Sequence, residues 1–384
     1  MAVFRGLPWF ARVVTMLVLL SLLSSCPAMA LSLYWDGSSA SWNTIGNWST
    51  ASGASTPDPL ALPTVSDDLI FNITTVNGAQ TITLDANQSA KSLTINNTGT
   101  TTLTGGGTAR TLTLGTGGIT IGSSAGALTL GDGTTGNNVL ISLSQGHQTW
   151  TNNSANNFTI NNNAASFSRS AGATLGFNQA STGVFSMSTT VLPNDATGII
   201  GPWALYGTST SMRYAFNNAG TIGGYTGGTA AADANSLTSA TTNYDLASAA
   251  VTLSASRTAN TIRYAGTGGV LDLSTAAVTQ NLTLNGILAA GASGTFTIQR
   301  TAGTGTVVVG TSNELVIAGP QAVTISAPIS GATKTVTYAG TNTLTLSGAS
   351  TWTGNLNVNS GILNLSGFIP NSLTTYVGAG ATYT

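Results

Sequence analysis

The pattern that most restricts this chain is a short triplet, apolar–Thr–apolar, that returns every seven to eleven residues between turn-forming segments. Ile82-Thr83-Leu84, Leu93-Thr94-Ile95, Leu112-Thr113-Leu114, Ile119-Thr120-Ile121 and Leu128-Thr129-Leu130 form one series. Val251-Thr252-Leu253, Leu282-Thr283-Leu284, Phe296-Thr297-Ile298 and Val323-Thr324-Ile325 form another. Alternation at period two gives each triplet one face to bury and one to show, and β-branched Thr suits the pleat. Glycine and asparagine between triplets, as in Gly105-Gly106-Gly107 and Asn96-Asn97, supply corners. Strands of three to five residues pair poorly as hairpins. Wound into a parallel solenoid, each pairs with the strand one coil earlier at about 4.8 Å, and three such units make a coil of roughly 25–30 residues. The expectation is an all-β parallel β-helix of about a dozen coils, a rod roughly 60 Å long.

Only 5% of the 384 residues are charged and the net charge is −1. No basic patch exists to neutralise phosphates, which argues against a nucleic-acid partner. Residues 1–30 read as a secretory signal: Arg5 and Arg12, an apolar run from Val13 to Leu23, then Ala28-Met29-Ala30 with cleavage after Ala30. The rival is Leu23-Ser24-Ser25-Cys26, a lipobox that would make Cys26 a lipid anchor. With cleavage at Ala30 the mature chain has no cysteine and no membrane span, and stacking alone must stabilise it.

Residues 31–79 form a cap region. Trp35, Trp42 and Trp48 crowd its start, suited to covering the open end of an array; the competing use is a sugar-binding platform. Residues 80–165 are β-helix coils. Residues 166–249 are irregular coils with protruding loops, where Trp203, Tyr206 and Tyr225 are the candidate ligand-binding aromatics, unless the loops pack back as a flap. Residues 250–384 return to coils and stop without a cap, as a fragment of a longer chain would.

The clearest unit, Tyr338 to Leu365, resembles the repeat of bacterial autotransporter-associated β-strand proteins. Gly340, Leu344, Leu346, Gly348, Gly354, Val358, Gly361, Leu363 and Leu365 occupy matching places, while Asn342, Ser350 and Trp352 depart. Ser350 weakens the Asn ladder expected at its corner. The opening Tyr34-Trp35-Asp36-Gly37 segment, Gln148 to Ser154, and Gly198 to Ala204 are similar to such proteins too. The resemblance implies a right-handed parallel β-helix passenger, exported and either secreted or displayed at the cell surface or outer membrane, and no catalytic residues.

The residues themselves offer little chemistry. Glu314 is the one glutamate, the ten aspartates are scattered, and Asp67-Asp68 point to opposite faces of a strand. His147 is the single histidine, too isolated for a metal site or a triad. Gly131-Asp132-Gly133 lacks the tandem recurrence of calcium-binding repeats. The expected function is a structural, adhesin-like surface protein without cofactor or metal, with surface glycans or cell-surface proteins as partners. The alternatives are a carbohydrate-binding module and, behind it, a polysaccharide lyase.

Overall fold

The computed structural model describes residues 30–37, 41–274, 279–370 and 374–384. Residues 1–29 of the expected signal, including Cys26, lie outside the described residues. The fold is all-β, dominated by parallel sheets, and among the described residues helix occurs only as three-residue 3-10 turns.

The triplets become rungs. Leu33, Leu69, Leu93, Ile119, Trp150 and Phe177 pair in parallel register from one coil to the next, forming a single inward-facing column. A second column, Ile82, Leu103, Leu130, Ile160 and Met187, runs up another face. The third face stacks Gln88, Leu112, Ile141 and Phe167. Each coil thus has three short strands and two to three corners. Coil length follows from the hydrogen bonds between coils, 24 residues from Asp68 to Ser92 and 27 from His147 to Thr174.

This regular winding includes the opening segment. Ser32–Trp35 pairs parallel with Asp68–Phe71 and antiparallel with Trp48–Ser49. Trp35, Trp42, Trp48 and Phe71 are fully buried together, with ring centroids 5.0–6.3 Å apart. The ladder also runs on past residue 165 through Phe167–Arg169, Thr174–Gln179 and Phe185–Met187. Departure from it is confined to 188–228. There Ala204–Tyr206 still pairs parallel with Leu175–Phe177 on one side, and on the other it opens an antiparallel meander with Arg213–Asn218 and Thr221–Gly224, which lies against Phe185–Met187.

A second solenoid starts at Thr229–Ala231. Its column of Tyr244, Ile262, Ile287, Ile317, Tyr338 and Val358 has the same parallel register. Another column stacks Leu271, Ile298, Ile325, Leu346 and Leu365. Coil length varies, with 25 residues between Asn260 and Asn285 and 20 between Thr337 and Asn357. A buried amide ladder runs up one corner: Asn285 donates to Asn260 and Asn260 to Asn243, each at 2.8 Å. At Ser350 the side chain substitutes for an amide by accepting from the Ile329 N–H at 3.1 Å.

The coils do not continue as one rod. Two separate cores form, one from Leu33 to Ile222 and one from Ala231 to Leu363, and the two solenoids lie side by side. Gln145 meets Asn357 and Tyr376, Thr174 meets Asn359, and Tyr214 meets Ile262. As the first solenoid ascends, its partners in the second descend, so the two run antiparallel. The physical reason is on the second solenoid's own strands. Gly286–Ala289 and Glu314–Gly319 are buried on both faces, which a lone solenoid does not require.

Acid should loosen the second solenoid at a defined place. Asp272 is buried, which raises its pKa, but this is outweighed by hydrogen bonds from Thr301, Gln299 and Ser274, which hold it down at about 2. A depressed carboxylate stabilises the fold above its unfolded value near 3.8, and that contribution is lost as pH falls toward 2. Asp272→Asn should therefore cost about 2 kcal/mol at pH 7 and flatten the pH dependence of unfolding between pH 4 and 2, measured by urea titration.

Candidate functional site

The three aromatics singled out in the sequence sit close in the chain but do not form one platform. Trp203 is half-buried in a cleft of about 270 Å³ with Phe167, Arg169, Val191, Leu192 and Ile200. Phe167 stacks on its indole at 6.5 Å, and the Arg169 guanidinium lies 5.1 Å from the ring centroid, a cation–π contact. Tyr206 donates its hydroxyl to Gln179 Oε1 at 2.7 Å. Tyr225 meets Phe216 edge-on at 5.8 Å and packs against the contact between the solenoids. Each aromatic is therefore engaged by its own protein neighbours.

Arg169 belongs to a larger arrangement at that contact. Its Nη2 donates to Glu314 Oε2 at 2.6 Å, and Nη1 to the Ala173 carbonyl at 3.0 Å. Thr337 donates to the other Glu314 oxygen at 2.5 Å, Asn357 donates to Thr337 at 3.1 Å, and Gln145 donates to Asn357 at 2.8 Å. The chain begins on the first solenoid, crosses three coils of the second and returns, with each donor matched to an acceptor. In the sequence Glu314 stands out only as the lone glutamate; nothing local links it to an arginine 145 positions away.

Two glycines permit the close approach. Gly172 has φ of +79°, and a Cβ there would fall 2.2 Å from the Asn357 side chain. A Cβ on Gly286 would meet the Tyr214 hydroxyl at 2.9 Å and Pro202 at 3.0 Å. Beside the polar chain lies an apolar patch. Ile199, Leu205 and Tyr214 from the first solenoid pack on Leu288, Ala290, Ala318 and Ala339 of the second.

At the edge of this patch is a hollow of about 250 Å³. His147 lines it, with Nδ1 3.0 Å from Thr174 Oγ1 and Nε2 3.3 Å from Thr149 Oγ1. Burial lowers the His147 pKa to about 4, so the ring is neutral at pH 7.

Elsewhere Asp67, Asp68 and Asp132 are engaged by the protein's own donors. Asp67 accepts from Leu31 N and Thr64, whereas Asp68 faces the other way and pairs with Lys91 at 2.8 Å. Asp132 accepts from Thr134 and Asn137, which lower its pKa and close a turn. Among the described residues, no three His, Cys, Asp or Glu side chains gather as a metal site would require. No described helix is long and apolar enough to cross a membrane. In comparisons with known proteins, no family model, curated protein or solved structure matches the chain.

Proposed function

We propose that the chain is an exported structural protein of bacterial surfaces, built as a right-handed β-solenoid of the autotransporter-associated repeat type and adhesive in use. The observation that carries this reading is the parallel ladder itself. Column after column of aliphatic and aromatic side chains stacks in register, and the outward row is mostly Thr, Ser and Asn. Such an array draws its stability from neighbour-on-neighbour contacts and needs neither disulfide nor metal. Right-handed winding is the hand that parallel strand crossings take. The aromatic cluster of Trp35, Trp42, Trp48 and Phe71, with its antiparallel partner strand Trp48–Ser49, serves as the N-terminal cap.

Export is tested by fusing residues 1–60 to an alkaline phosphatase that is active only outside the cytoplasm. Phosphatase activity with N-terminal sequencing that begins at Leu31 supports cleavage after Ala30. An inactive fusion that retains Met1 contradicts export. A product beginning at Cys26 and carrying lipid supports export by the anchored route and contradicts cleavage at Ala30.

A further inference from the structure

The hollow at the junction of the two solenoids owes its shape to missing side chains. Gly176 sits in the outward row between Thr149 and Leu205, with which it pairs directly, and Gly207 lies at the rim. A Cβ on Gly176 would meet His147 at 3.6 Å, an ordinary contact, so the glycine leaves usable space rather than relieving a clash. The second solenoid closes the opposite side with Pro320, Ala339 and Thr341.

The lining is chemically uniform in one respect: none of its side chains is ionised. Thr149, Thr208, Ser209 and Thr341 bring hydroxyls, while Leu205, Met212 and Pro320 bring apolar surface. The imidazole is held in place from behind. Buried Asn359 donates to Thr174 Oγ1 at 3.0 Å, and the ring is held between that hydroxyl, 3.0 Å from Nδ1, and the Thr149 hydroxyl, 3.3 Å from Nε2. His147 thus presents a fixed, neutral imidazole among hydroxyls. The volume lies just below the ~300–1,000 Å³ of sites that take drug-sized ligands, room for one ring rather than an oligosaccharide.

We propose that this hollow binds a single neutral sugar ring, hydroxyls toward His147 and the threonines, apolar face against Leu205, Met212 and Pro320. A charged sugar would find no charged group in the lining to pair its carboxylate, since the nearby Arg263 is held by the Met212 and Thr210 carbonyls. The site uses none of the aromatics Trp203, Tyr206 and Tyr225, and it does not depend on export or on a stalk role.

The test is saturation-transfer NMR on the chain from Leu31, titrated with glucose, galactose, mannose, N-acetylglucosamine and, as the charged control, glucuronic acid. At least one neutral sugar should bind, with glucuronic acid at least tenfold weaker. Gly176→Leu, which fills the hollow, should weaken binding at least tenfold, and Trp203→Ala should leave it unchanged. Circular dichroism and melting confirm that Gly176→Leu is folded; should it not fold, exposed Thr149→Val takes its place, with a several-fold loss expected. The proposal is overturned by no transfer from any neutral sugar, by equal binding of glucuronic acid, or by full binding in the filled variant.

Discussion

Trp150→Ala is expected to lower the stability of the first solenoid by about 3–5 kcal/mol, the range for emptying a large aromatic site in a packed core. Trp150 is fully buried and stands in the column between Ile119 and Phe177. Phe158, Phe167 and Phe177 surround its ring at 5.2–5.7 Å. Those neighbours belong to three faces and two adjoining coils, so the void cannot close by shifting one strand. A solenoid's stability is a sum of coil terms and neighbour terms, so damage at a central coil removes contacts in both directions. Guanidinium unfolding followed by hydrogen exchange should show protection lost first at rungs around 119–177, with the column from Tyr244 to Val358 retained. A loss below 1 kcal/mol would contradict the packing described.

Leu288→Arg is expected to act differently: both cores should stay folded while the solenoids part. Leu288 is fully buried on the outward side of its strand, against Ile199, Leu205 and Tyr214. Its ladder neighbours on that side are Arg263 and Ala318. A guanidinium there would be buried beside Arg263, and the nearest carboxylate in that column, Asp245, is already shared by Arg263 at 3.8 Å and Arg213 at 3.6 Å, so the added charge costs several kcal/mol that separation relieves. Circular dichroism should be unchanged and the radius of gyration should rise. Global unfolding instead would mean that the second solenoid cannot stand without the first.

Much of this fold was legible because the triplets carry their own periodicity. Leu93-Thr94-Ile95 and Leu282-Thr283-Leu284 became rungs where the alternation placed them, and the coil length followed from their spacing. The fold-back was also written in the chain, in a signal that the triplet pattern masks. Gly286-Ile287-Leu288-Ala289-Ala290 and Leu315-Val316-Ile317-Ala318 do not alternate; they are apolar on both faces, as strands covered twice must be. The polar chain from Gln145 through Asn357, Thr337 and Glu314 to Arg169 had no such signal. Its members are single Gln, Asn and Thr residues in a chain rich in them, and only the folded contact selects them. The hollow beside His147 was hidden for a related reason. Gly176 looks like any corner glycine, yet its value lies in the side chain it lacks within a strand.

The chain folds back on itself as two antiparallel solenoids. The chain from Leu31 has no cysteine, so paired spin labels can be placed cleanly at Ser144→Cys and exposed Val377→Cys, beside the Tyr376–Gln145 hydrogen bond. Double electron–electron resonance should give a modal separation under about 20 Å. A single continuous rod would place those coils about 40 Å apart at the ~4.8 Å rise between rungs, and that distance would contradict the account.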